Sequence, residues 1–160
     1  MKFYDEIAKS YNELHKEEQL KKIHIILKKL HIKDKEKVLD IGCGTAFYSD
    51  LFKDYTGIDS SKKMLSQSNA NVIYGKAEKL PFKDKSFNIV LSVTAIHNFN
   101  NPEKAIQEIK RVCKNKIAIT LLKKSNEFNY LKNLIKKNFK GKKFNSEKDI
   151  IFIGLIKNTE

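Results

Sequence analysis

Apolar residues at Leu20, Ile23, Leu27 and Leu30 recur every three to four positions, with Lys21, Lys22, Lys28 and Lys29 between them. That period predicts an amphipathic helix whose lysines lie on faces away from the core. The period then changes. Residues 37–42 form a short apolar run halted by glycine and predict a strand; residues 45–53 predict a helix and residues 55–59 a second strand. Ser60 is placed to cap a helix running through Met64 and Leu65. Residues 71–74 and 87–92 predict a third and a fourth strand. Pro102 opens a helix carrying Ala105, Ile106, Ile109 and Val112 and taking in Cys113. Residues 117–122 predict a fifth strand. A lysine-rich helix follows over 126–138, with Gly141 as its terminator, Phe128, Leu131, Leu134 and Ile135 as its buried stripe, and Lys132, Lys136 and Lys140 on another face. Residues 150–156 are too apolar for an edge and predict a central strand. Strands alternating with helices predict a single α/β domain with a mostly parallel sheet covered on both faces, so a ligand belongs at the carboxyl ends of the strands.

Composition narrows this picture. The 160 residues suit one domain, and 41% hydrophobic with 32% charged residues exclude a disordered chain. No apolar run is long enough to span a membrane, and residues 1–6 lack a secretory apolar region. Cys43 and Cys113 are the only cysteines, which excludes a disulfide scaffold and a four-cysteine zinc site and suggests a cytoplasmic protein. No metal site is expected: His15, His24 and His31 lie in or beside the first helices without cysteine partners. The net charge is +13, and Arg111 is the only arginine among 32 basic residues. From Lys114 to Glu160 there are twelve lysines against Glu127, Glu147, Asp149 and Glu160, a basic region suited to RNA. Scarcity of arginine, the residue that reads nucleic acid most specifically, favours a general lysine bias instead.

The segment Val38-Leu39-Asp40-Ile41-Gly42-Cys43-Gly44-Thr45-Ala46 holds the candidate chemistry. Glycines past a strand let the chain turn tightly and let a ligand approach the backbone. A dinucleotide fingerprint would need a third glycine at Phe47, which argues against a pyrophosphate cradle. Asp40 would repel a phosphate but could orient a cationic amino acid moiety, directly or through water. Asp59, ending the second strand, can accept ribose hydroxyls or can cap the following helix. His97, five residues beyond Ser92, is the histidine placed to act as a base or to orient an acceptor.

These motifs resemble class I S-adenosylmethionine-dependent methyltransferases, in the branch similar to ubiquinone- and menaquinone-biosynthesis enzymes. The resemblance runs from Tyr4 to about Leu122. Residues 4–11 look like the N-terminal element of that branch, which places Tyr11 near the cofactor. Residues 38–46 look like the loop that holds the methionine part, through Asp40, Gly42, Cys43 and Gly44. Residues 57–65 look like the ribose-binding motif, with Asp59, Ser60 and Met64. Residues 75–82 look like the adenine motif, with Ala77 and Glu78, and residues 86–99 like the fourth motif, with Ser92. Ala46 replaces the usual third glycine, and Asn88 replaces a common acidic residue. An Asn/Asp-Pro-Pro-aromatic motif is absent at residues 92–95, as are the cysteine motifs of cytosine-C5 enzymes.

The resemblance implies a seven-stranded Rossmann-like sheet of order 3-2-1-4-5-7-6. Residues 1–30 would form a helical lid element and residues 37–160 the core, with S-adenosylmethionine as cofactor and S-adenosylhomocysteine as product. The expected function is methyl transfer to a small-molecule acceptor, with His97 as the catalytic candidate. Two other readings stay open: an RNA or translation-factor methyltransferase completed by a partner subunit or a second copy, and a cofactor-binding module without catalysis.

Overall fold

The computed structural model describes residues 6, 7, 13 and 16–156. Its strands are β1 (Lys37–Ile41), β2 (Asp54–Asp59), β3 (Val72–Tyr74), β4 (Phe87–Ser92), β5 (Cys113–Leu122), β6 (Phe139–Asn145) and β7 (Asp149–Ile156). They form one sheet in the order β3-β2-β1-β4-β5-β7-β6. Strands β1 to β5 pair in parallel, while β7 runs antiparallel between β5 and β6. Helices α1 (Lys16–Leu30), α2 (Lys62–Leu65), α3 (Pro102–Val112) and α4 (Phe128–Asn138) accompany the sheet.

Side-chain alternation along each strand splits the core in two. Leu39 and Ile41 of β1 join Ala105, Ile106 and Ile109 of α3 and Leu131 and Ile135 of α4. Val38 points the other way, joining Ile23, Ile26 and Leu30 of α1 and the aromatic rings of Tyr48, Phe52 and Tyr55. Pro102 lies in the first turn of α3, and the Asn101 side chain accepts the Lys104 N–H at 3.1 Å, so that helix starts where the sequence signals place it. Strand β7 is central, as its apolar run requires.

Several elements differ from expectation. Residues 45–53 form only a 3-10 turn at Ser49–Leu51, because Tyr48 and Phe52 bury their rings against Tyr55 without needing a full helix. The cap of α2 is Ser61, whose hydroxyl accepts the Met64 N–H at 3.3 Å, and not Ser60. Cys113 opens β5 instead of ending α3, and it is fully buried there. Helix α4 ends at Asn138, so Lys140 sits on β6 and does not continue the helical lysine row. Gly141 lies inside β6 opposite Gly154, where a Cβ would come within 2.1 Å of the Ile153 carbonyl oxygen. It serves close strand approach and terminates no helix. Lys22 is on the buried face of α1, at 1% exposure, held by an ion pair with Asp149.

Candidate functional site

A cavity of about 360 Å³ opens at the carboxyl ends of β1, β2, β3 and β4, beside the point where the strand order reverses. Its floor is the turn after β1. Gly42 has φ +77, and a Cβ there would stand 2.4 Å from the Ala95 Cβ, so only glycine fits between this turn and the chain leaving β4. The Gly42 and Cys43 N–H groups both donate to the Ile58 carbonyl, at 2.8 and 3.1 Å. Gly44 (φ +58) and Ala46 (φ +53) continue the turn in left-handed conformation. For alanine that backbone costs about 1–2 kcal/mol, part of which its buried methyl group offsets.

Asp59 organises the rim. Its Oδ2 accepts the Gly44 N–H and its Oδ1 accepts the Ser61 N–H, each at 2.8 Å. Asp59 is not the cap of α2, which is Ser61; its carboxylate pins two loops and keeps acceptor capacity toward the cavity. Gly42, Gly44, Asp59, Ser60, Met64, Ala77 and Glu78 all line the space. Glu78 Oε1 also accepts the Asn101 N–H at 3.1 Å, tying the 75–78 wall to the loop before α3. The adjoining segment is clamped by Arg111, which donates to the Leu80 carbonyl (3.0 Å), the Phe82 carbonyl (2.7 Å) and Glu108. Glu108 in turn accepts the Leu80 N–H at 2.8 Å, and the Arg111 hydrogen bond holds its carboxyl below the usual range.

Other expected site residues lie behind the wall. Asp40 is fully buried under the turn, and its Oδ2 accepts the hydroxyls of Tyr48 and Tyr55, both at 2.6 Å. Burial pushes its carboxyl up to about 6 even though these hydroxyls oppose the shift. Its Oδ1 has no hydrogen-bond partner among the described residues. Cys43 is also buried; its sulfur fills the space that Gly57 leaves open, and burial raises its thiol pKa. Ser92 is fully buried, and its Oγ has no partner among the described residues. None of these three lines the cavity. Tyr11 falls outside the described residues.

His97 lies in a 3-10 turn at Ile96–Asn98, half-buried, with no partner for its Nδ1 among the described residues. Burial lowers its pKa from the ordinary value, against the opposing pull of Asp149 and with a smaller contribution from Lys22, which favours the neutral imidazole. It does not line the cavity, but its neighbours do: Thr94 and Ala95 before it, and Asn98, Phe99 and Asn100 after it. None of these five residues is assigned to the site from the sequence. The cluster of asparagines around Phe99, polar and aromatic at the end of an apolar strand, is the signal that could have found them. Among the described residues no group of three or more His, Cys, Asp or Glu side chains could hold a metal, and no helix is long and apolar enough to cross a membrane.

A family profile described as "Methyltransferase domain" matches residues 39–119, from β1 through most of β5. The chain belongs to this methyltransferase family. An uncharacterized protein of Methanocaldococcus jannaschii is 34% identical over 145 residues, covering 86% of this chain and 57% of that one. The demethylmenaquinone methyltransferase of Thermotoga maritima is 35% identical over 98 residues, covering 54% of this chain and 43% of the enzyme. The chain thus spans about half the length of the curated relatives it matches. In three dimensions it is similar to a provisionally assigned methyltransferase solved in complex with a Haloferax volcanii methyltransferase activator. That likeness has a TM-score of 0.79 at 14% identity and covers 97% of this chain and 98% of the other, which is agreement in fold. The class I, menaquinone-like branch implied by the motifs agrees with these findings, and with that family comes S-adenosylmethionine as cofactor.

Proposed function

We propose that the chain moves the methyl group of S-adenosylmethionine to an oxygen, nitrogen or carbon atom of a small-molecule acceptor. The observation that carries this reading is the Asp59 carboxylate, prepositioned by two backbone N–H groups on the rim of a glycine-floored cavity. Asp59 would accept the ribose hydroxyls and the Gly42–Gly44 backbone would cradle the methionine end, with Ala77 and Glu78 beside the adenine. Ser60 and Met64 would complete the wall on the α2 side. Asp40, Cys43 and Ser92 support this surface from behind, and Tyr11 is assigned to it on resemblance alone.

The bound cofactor supplies an electrophilic methyl group on a sulfonium whose positive charge disappears as the methyl leaves. The chain's own contribution is alignment of the acceptor behind that methyl and exclusion of water. Where the acceptor must lose a proton, His97 receives or orients it, and burial, which favours its neutral form, suits that task. Turnover should then be flat through neutral pH and fall only below the ordinary histidine value of 6.5. His97→Ala should leave cofactor affinity nearly intact and depress turnover by about 10²–10⁴. Unchanged turnover would reduce His97 to packing, and lost cofactor binding would make it part of the pocket.

A second reading, in which a partner subunit completes the enzyme for an RNA or protein substrate, is favoured by the structural neighbour solved with an activator. A tritiated-methyl assay on small-molecule, RNA and protein pools, with and without added cell extract, separates the two. Label confined to macromolecules would replace the small-molecule reading. Cofactor binding without label in any pool would favour a module without catalysis.

A further inference from the structure

Thr94 is the first cavity residue after β4, and its φ of +51 is unusual for a β-branched side chain. A buried polar network surrounds it. The Thr94 N–H donates to Thr120 Oγ1 at 2.6 Å, Lys22 Nζ donates to Thr94 Oγ1 at 2.7 Å, and the Thr94 hydroxyl donates to Asp149 Oδ2 at 3.1 Å. Lys22 Nζ also donates to Asp149 Oδ1 at 3.0 Å. Lys22, Asp149 and Thr120 are 1%, 0% and 0% exposed and come from α1, β7 and β5. Apolar side chains could fill this space without desolvating two charges, so the ion pair is a poor device for stability alone. It does fix Thr94, which among the described residues is the one non-glycine lining the cavity with a left-handed backbone. Ala95 follows directly, and its Cβ is the atom that closes against the Gly42 turn.

We propose that Lys22, Asp149 and Thr120 are positioning residues of the cofactor site, holding Thr94 left-handed so that Ala95 sets the distance between the β4 loop and the Gly42 turn. The inference rests on the S-adenosylmethionine reading of the cavity. Helix α1 and strand β7 thereby act on the pocket through Thr94 without touching its ligand.

The test is calorimetric titration of S-adenosylhomocysteine, which needs no acceptor, alongside thermal melts. The double variant Lys22→Met/Asp149→Leu removes both charges together. It should fold with a melting point near wild type and bind about tenfold more weakly. Adding Thr94→Gly to that background should restore most of the affinity, because glycine adopts positive φ unaided. Thr120→Val, which removes one hydroxyl and no charge, should weaken binding severalfold, and Thr120→Ser should restore it. If the double variant fails to fold, the Thr120 pair decides the matter. Wild-type affinity in the folded double variant or in Thr120→Val, or no recovery with Thr94→Gly, would overturn the proposal while leaving the cofactor reading intact. Absence of binding by the wild-type protein would overturn both.

Discussion

Asp40 shows how one residue can serve a site it does not line. In the folded chain its buried carboxyl keeps its proton to about pH 6, against 3.8 for the ordinary carboxyl. Over that window the folded state binds more protons than the unfolded one, so stability falls as pH rises through it. The shift corresponds to about 3 kcal/mol of stability lost by neutral pH. Asp40→Asn keeps an acceptor for Tyr48 and Tyr55 but cannot ionise. Melts at about pH 5 and about pH 8 should show a smaller pH difference for the variant and a melting point a few degrees above wild type at the higher pH. An undiminished pH difference would mean that Asp40 is ionised in the fold. Ala46 illustrates a balance. Glycine there would relieve about 1 kcal/mol of left-handed strain but lose a buried methyl group and loosen the unfolded chain by similar amounts. Ala46→Gly should therefore leave the melting temperature within a few degrees of wild type, which explains why the motif tolerates alanine.

The elements were legible where hydrophobic period and local signals agreed. The β1 run with its glycines, the Asn101–Pro102 start of α3 and the apolar β7 all lie where the sequence put them. Legibility failed where a distant partner overrides local pattern. Lys22 reads as a solvated lysine because nothing within α1 announces Asp149, which lies 127 residues away. Gly141 reads as a helix stop because its real constraint is the facing backbone of β7. The rim residues of the cavity are implied by the family resemblance, but Thr94, Asn98 and Phe99 are not, since loop conformation after β4 leaves no periodic trace. Arg111 reads only as a lone arginine, yet from α3 it ties down residues 80–84 through the Leu80 and Phe82 carbonyls and the Asp84 carboxylate, while also pairing with Glu108 of its own helix. Arg111→Ala should loosen that segment, so amide hydrogen exchange should quicken there while the β5–β7 ladder stays protected. Unaltered exchange at residues 80–84 would deny the clamp its role.

At the scale of the whole molecule, a group of lysines lies outside the lining of the cavity. Lys136 and Lys132 on α4 lie near Lys143 on β6, and repulsion, chiefly from Lys136, lowers the Lys143 pKa. Such a face binds polyanions through counterion release, with a log–log salt slope of about 0.7–0.9 per phosphate neutralised. We expect weak, sequence-indifferent RNA binding that fades at physiological salt and flattens on reversing the three lysines to glutamate. Filter binding across ionic strength measures this, and tight, charge-sensitive binding at physiological salt would move the RNA reading ahead.

The central claim, that the β1–β4 cavity is an S-adenosylmethionine site anchored by Asp59, is tested most directly by titrating wild type and Asp59→Ala with S-adenosylmethionine and S-adenosylhomocysteine in a calorimeter. Losing a charge-assisted hydrogen bond costs about 1.5–3 kcal/mol, so the variant should bind both ligands roughly ten- to a hundredfold more weakly. A folded wild-type protein that gives no heat with either ligand, or an Asp59→Ala variant with unchanged affinity, would contradict the account.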